Sequence, residues 1–272
     1  MTSSRTGDSN ERSKNLWVFG YGSLIWNPGF SYVRSSVGSI KGFKRRFWQG
    51  NDIHRGTPDK LGRVVTLIAE KEAITWGRAY LIKDECACRS YLDQRECQEG
   101  GYEAKMVEFV PRDNDELILS SSSQSLSASF QVLVYIALPT NRFFLGPAPE
   151  MTIACDIAFA SGECGPNVEY LAKLVAFMRY HWPEVWDDHL YELERSVKKI
   201  LDKRFPCKLK YFDNAMNDEA KCLLQTLERL KLLEFDFNWR TEKEIKSLES
   251  RLNFIELPRD LVASSKGVRI NI

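Results

Sequence analysis

Several things are scarce in this chain, and each scarcity narrows what it can be. There is no run of about 18 apolar residues, so a membrane-spanning helix is not expected. The formal net charge is +1 over 272 residues, which gives no electrostatic reason to expect nucleic acid or an anionic membrane as partner. Only three histidines occur, His54, His181 and His189, too few and too scattered for a ligand set with metal-site spacing. The Cys86-x-Cys88 pair has the wrong spacing for a zinc knuckle or redox motif, so no metal is expected. No Gly-x-Ser-x-Gly elbow and no recognisable cysteine nucleophile motif appear, which leaves covalent catalysis without a candidate. The residues before Leu16 are polar and serine-rich with both signs of charge, unlike a secretory or transit leader. Residues 1–14 therefore read as a disordered tail. The seven cysteines, an odd number without such a leader, fit free thiols in a reducing compartment and a cytosolic setting.

What is present is organised around Trp17-Val18-Phe19-Gly20-Tyr21-Gly22-Ser23-Leu24-Ile25-Trp26. The stretch begins as a buried strand and breaks into Gly-Tyr-Gly-Ser, where glycine permits turns and close approaches that a Cβ forbids. Backbone N–H groups at such a strand tip can cradle a carboxylate or a developing oxyanion. An ordinary tight turn is the plainer alternative. Ser23 lacks a local base and reads as a hydrogen-bond donor or turn former.

Further strands are expected at 41–50, 63–69, 75–82, 103–111 and 130–138, with Gly77 read as a bulge. The aromatic-basic run Phe43 to Trp48 reads as a strand with one solvated basic face. Ser120 to Ser129 is a serine-rich insertion, taken as a surface loop. Helices take over after the apolar loop Phe144 to Pro149: one near 150–160, one capped by Asn167, and one opened by Pro183 whose stripe includes Trp186, Leu190, Leu193, Val197 and Leu201. Strands followed by helices imply an α+β fold whose mainly antiparallel sheet curls toward a barrel. From Pro206 the chain reads as a mainly helical extension with no chemistry of its own, a packing or partner segment.

Among the acidic residues, Glu96 differs by its setting, after a short apolar helix candidate and before Gly100-Gly101. A half-buried carboxylate there has its pKa raised toward a useful base. A helix-terminal ion pair with Arg95 is the competing reading.

Taken together, these blocks resemble the ChaC-type γ-glutamylcyclotransferases, which act on glutathione. The resemblance begins with the Trp17 to Trp26 stretch and continues through Arg45-Arg46-Phe47-Trp48-Gln49-Gly50, His54-Arg55-Gly56-Thr57-Pro58 and Gly62 to Leu67. It extends through Trp76-Gly77, Tyr91-Leu92-Asp93 with Arg95-Glu96, Gly100-Gly101-Tyr102, Leu145 to Pro149 and Asn167 to Leu171. It implies a small mixed β-barrel with flanking helices over 15–205, and an extension, 206–272, beyond the usual family length. It also implies cleavage of glutathione to 5-oxoproline and cysteinylglycine without a cofactor. By the same resemblance Val18, Phe19, Gly20, Tyr21, Gly22, Ser23 and Leu24 bind the γ-glutamyl group, and Glu96 is the general acid/base. Arg46, Arg55 and Arg63 are candidates for the glycine carboxylate on charge grounds, Trp48 and Tyr170 on stacking or hydroxyl grounds. Ile53 and Pro166 depart from the family pattern, which commonly carries an acidic and a basic residue there. Two alternatives stay open: another γ-glutamyl peptide or amine as substrate, or a non-catalytic protein that retains the pocket and recruits a partner through its C-terminal helices.

Overall fold

The structure is a computed structural model and describes residues 16–83, 101–112 and 129–233. The short helix candidate before Glu96, Glu96 itself, most of the serine-rich insertion and residues 234–272 of the extension lie outside the described residues. Five strands close a barrel in the order β1-β3-β2-β4-β5. They are β1 (Trp17–Gly20), β2 (Tyr32–Asn51), β3 (Gly62–Ile82), β4 (Tyr102–Pro111) and β5 (Phe130–Ala137). All neighbouring pairs are antiparallel except one. The seam between β1 and β5 is parallel and aligns Val18 with Leu133. The α+β class and the barrel are as the residue pattern implies.

The two strands expected at 63–69 and 75–82 are one continuous strand of 21 residues, paired along its length with the 20-residue β2. Three register shifts let this long hairpin bend around the barrel. None falls at Gly77, which pairs in register with Gly38. Gly77 is there for close approach instead: a Cβ would stand 2.5 Å from the Phe19 ring. The barrel interior is filled by Trp17, Phe19, Ile40, Leu67, Phe109, Val132, Val134 and Ile136, an apolar cluster of alternate inward-facing residues.

Four helices pack outside: α1 (Glu150–Phe159), α2 (Asn167–His181), α3 (Asp188–Arg204) and α4 (Lys210–Leu233). The two-residue strands β6 (Ser161–Gly162) and β7 (Gly165–Pro166) form a small hairpin between α1 and α2. Helix α2 is buried almost all round, with Val168, Leu171, Leu174, Phe177 and Met178 at the centre of the main core. Helix α4 is seated on the same core through Phe212 and Ala215, so the chain after Pro206 begins as part of the packed body.

Three local expectations are corrected. Helix α3 opens at Asp187, whose carboxylate accepts the Leu190 N–H (3.1 Å). Pro183 lies in a turn before it, and Trp186 is 68% exposed, outside the helical stripe. Asn167 does not cap α2, since Pro166 holds the cap position without a side-chain bond. The Asn167 amide instead reaches β3, accepting the Arg63 N–H (2.6 Å) and donating to the Arg63 carbonyl (2.8 Å). Finally, the basic run is not one solvated face. Lys44 pairs with Glu70, but the Arg45 guanidinium is buried beside Asp187.

Candidate active site

β1 ends at Gly20, and the chain turns through a single 3-10 turn, Ser23–Ile25. The N–H groups of Ile25, Trp26 and Asn27 return to the carbonyls of Gly22 and Ser23 (2.8–3.2 Å). Those of Gly22 and Leu24 lie outside this set, as the first donors of a helical turn must. Gly22 has no room for a side chain: a Cβ would lie 2.6 Å from the Tyr170 hydroxyl and 3.0 Å from Val65 Cγ2. The Tyr170 hydroxyl also accepts the Val65 N–H (3.3 Å), so α2, β3 and the turn meet at one phenol. Arg45 ties the turn from behind, donating to the Tyr21 carbonyl (3.1 Å) and the Trp76 carbonyl (3.3 Å) and pairing with Asp187 (3.3 Å).

The turn faces a cavity of about 660 Å³. Phe19, Tyr21, Gly22, Ser23, Leu24 and Tyr170 form part of one wall, and the run Gln49 to Arg55 forms another. Tyr102, Tyr135, Asn141, Phe143 and Cys164 also line it. The volume suits a tripeptide-sized ligand. The Gly50 N–H donates to the Phe143 carbonyl (2.7 Å), and Leu145 N–H to the Trp48 carbonyl (2.8 Å), so the apolar loop before α1 braces this second wall.

Of the residues singled out in the sequence, the cavity thus collects Phe19, Tyr21, Gly22, Ser23, Leu24, Arg55 and Tyr170. Val18 and Gly20 stand behind that surface, Val18 fully buried. Arg46 and Trp48 are also off the wall, Arg46 donating to the Arg45 carbonyl (2.9 Å). Arg63 is turned to the helices, where it pairs with Asp156 (2.9 Å). Arg55 reaches the wall already engaged, donating to Glu169 (2.9 Å) and to the Pro166 carbonyl (3.0 Å). Burial alone would raise the Glu169 pKa, but hydrogen bonds from Lys173 and Arg55 outweigh it and hold the carboxyl below its ordinary value. Ile53, one of the two departures from the family pattern, is a cavity residue and 45% exposed.

Sequence reasoning missed Gln49, Asn141 and Arg45. Gln49 is 3% exposed, and its Nε2 donates to Asn141 Oδ1 (2.8 Å). A glutamine amid aromatic and basic residues in a strand carries no local signal for this. Among the described residues no cluster of three or more His, Cys, Asp or Glu is placed to hold a metal ion. No described helix is long and apolar enough to cross a membrane.

Comparison with known proteins places these features. Residues 16–200 match the model of the family described as ChaC-like protein. A Danio rerio protein named glutathione-specific gamma-glutamylcyclotransferase 1 is 45% identical over 185 residues, 67% of this chain and 89% of its own. The Homo sapiens protein of the same name is 43% identical over 194 residues, 71% of this chain and 81% of its own. A crystal structure of a γ-glutamyl cyclotransferase specific to glutathione from yeast superposes with a TM-score of 0.60 at 32% identity, over 68% of this chain and 96% of that one. The matched span holds the barrel, the glycine turn and the cavity it faces, and the chain belongs to the ChaC-like family.

Proposed function

We propose that the chain is a γ-glutamylcyclotransferase, a lyase that cleaves glutathione to 5-oxo-L-proline and L-cysteinylglycine. The observation that carries this reading is the glycine turn, which faces a cavity of tripeptide size with its first N–H groups outside the turn's own bonding. The reaction needs little more from the protein, because the nucleophile belongs to the substrate. The α-amine of the γ-glutamyl group attacks its own γ-carbonyl carbon, closing a five-membered ring. The carbonyl electron pair moves to oxygen, and N–H groups of the turn receive that oxyanion. Collapse breaks the bond to the cysteinyl nitrogen.

The amine is largely protonated near neutral pH, so a base must take its proton and return one to the leaving nitrogen. We assign that role to Glu96. It stands six positions before Tyr102, a wall residue of the cavity. Holding the substrate folded supplies the rest, since ring closure gains from proximity. Val18 and Gly20 act from behind the wall by shaping the turn, while Phe19, Tyr21 to Leu24 and Tyr170 meet the γ-glutamyl group. Arg55, paired with Glu169, supplies the cation nearest the ligand's carboxylates. The free thiols at Cys155, Cys164 and Cys207 support a reducing, cytosolic setting. We take 15–205 as the catalytic unit and 206–272 as an extension, available to a protein partner, whose described helix α4 packs on that unit.

Incubation with glutathione, followed by 5-oxoproline, tests the activity. Product is expected, and its absence overturns the reading. Product from γ-Glu-Ala but not glutathione would move the substrate to other γ-glutamyl peptides. Glu96→Gln is expected to remove at least about 99% of turnover while leaving the unfolding midpoint unchanged. Full activity in that variant would discard the mechanism and spare the function.

A further inference from the structure

Gln49 holds a buried acceptor with no partner among the described residues. Its Nε2 is committed to Asn141 Oδ1 (2.8 Å), and Asn141 Oδ1 also receives the Phe143 N–H (2.9 Å). This second bond fixes which way the Asn141 amide points, because only its oxygen can accept from a backbone N–H. The Gln49 amide is then fixed in turn, since a flip would set two oxygens against each other. What remains is Gln49 Oε1, buried and with no hydrogen-bond partner among the described residues, in a residue that lines the cavity. A buried polar atom left unpaired costs the full desolvation of that atom, and native proteins rarely tolerate it without use.

We propose that Gln49 Oε1 accepts an N–H from the ligand's α-amino group and so aims the nucleophile. This rests on the γ-glutamylcyclotransferase reading above. Once one ammonium proton has passed to the base, two N–H bonds remain, and where they point decides whether the nitrogen lone pair faces the γ-carbonyl. A neutral amide oxygen suits this task better than a carboxylate. It accepts from ammonium and from amine alike, whereas a fixed negative charge would favour the ammonium and oppose its deprotonation. Asn141 and Phe143 hold the amide in register, and so act as positioning residues one step removed.

The test compares glutathione with its deamino analogue, glutaryl-cysteinyl-glycine, which carries hydrogen in place of the amine and can act only as a competitive inhibitor. Gln49→Met keeps length and volume but removes the acceptor. It is expected to lower kcat/KM for glutathione about ten- to a hundredfold, the usual effect of losing a hydrogen bond to a charged group. The inhibition constant of the deamino analogue should stay within about twofold. Should Gln49→Met not fold, Gln49→Ala makes the same comparison with a gap in place of a reshaped wall. A parallel loss for both compounds would overturn the proposal, because Gln49 would then shape the wall or bind another donor. Unchanged kinetics for both would overturn it as well. If the unaltered protein makes no 5-oxoproline, the cyclotransferase reading fails and this proposal falls with it.

Discussion

The inside of the barrel and the seam between barrel and helices are both buried, yet they are built from opposite materials. Inside, Trp17, Phe19, Ile40, Phe109 and Val134 pack as one apolar cluster. At the seam, apolar packing is crossed by polar ties. Arg45 reaches Asp187, Arg55 reaches Glu169, Arg63 reaches Asp156, and Asn167 brackets the backbone of Arg63. Apolar contact is non-directional and fills space. Hydrogen bonds and bidentate ties have preferred geometry, so they set angles. The interior therefore supplies stability, and the seam sets how the turn, the Gln49 to Arg55 wall and α2 face one another. The cavity lies along the seam.

The contrast can be broken in four ways, from the largest effect to the smallest. Phe109→Ala removes a fully buried ring from the barrel and should cost about 3–5 kcal/mol of unfolding free energy. By denaturant titration the protein should be much weaker, while the KM of the folded fraction is unchanged. A shifted KM would mean that the interior also sets the site.

His189 tests the seam through pH. Burial, with Arg46 and Arg45 nearby and only partly offset by Asp187, pulls its pKa down to about 4. Its Nε2 accepts the Phe47 N–H (3.0 Å), which requires the neutral ring. Between that value and the ordinary 6.5 the unfolded chain binds the proton and the folded chain does not. Stability is therefore complete above about pH 6.5 and falls as pH drops toward 4, by about 3 kcal/mol in all. His189→Gln should lose this slope in unfolding curves measured from pH 7 to 4. A slope that survives must come from another group.

Gly22→Ala presses a methyl against the Tyr170 hydroxyl and Val65. Overpacking of this kind costs about 1–3 kcal/mol, and here the shift falls on the cavity wall. Turnover should drop by more than the loss of folded protein explains. Proportional losses would show that the turn is only structural. Last, Lys41→Ala breaks the exposed pair with Glu72, whose side chains are 63% and 74% accessible. It should change stability by less than about 0.5 kcal/mol, and a larger effect would undo the division drawn between inside and seam.

How far these features could be read from the residues depended on the reach of the interaction. Strand positions, the glycine turn and the helical stripe of α2 follow from periods of two or 3.6 and from glycine chemistry, all within a few residues. The opening of α3 was misplaced because Pro183 is a legitimate helix starter by itself, and only the Asp187 bond to Leu190 shows where the turn begins. Asn167 looked like a cap because asparagine before an apolar stripe usually is one. Its true partner, Arg63, lies 104 positions away. Arg45 finds Asp187 at a separation of 142, and Gln49 finds Asn141 at 92. No local spacing encodes such pairs. The family resemblance identified the turn that faces the cavity, but it could not say that Arg46 and Trp48 sit off the wall while Gln49 sits on it.

The parallel seam between β1 and β5 bears on the order of assembly. The strand that carries the glycine turn precedes the other four barrel strands in the chain, but it is clamped on one side by β3 and on the other by Leu133 of β5. Its turn is then wedged by Tyr170, which arrives later still. Contacts this distant in sequence form slowly, because a long loop must close before they give any return. The site should accordingly be among the last parts of the molecule to mature, whether on the ribosome or in a refolding tube. Recovery of activity should lag behind recovery of strand signal, and a chain cut short before α2 should hold its turn without shape.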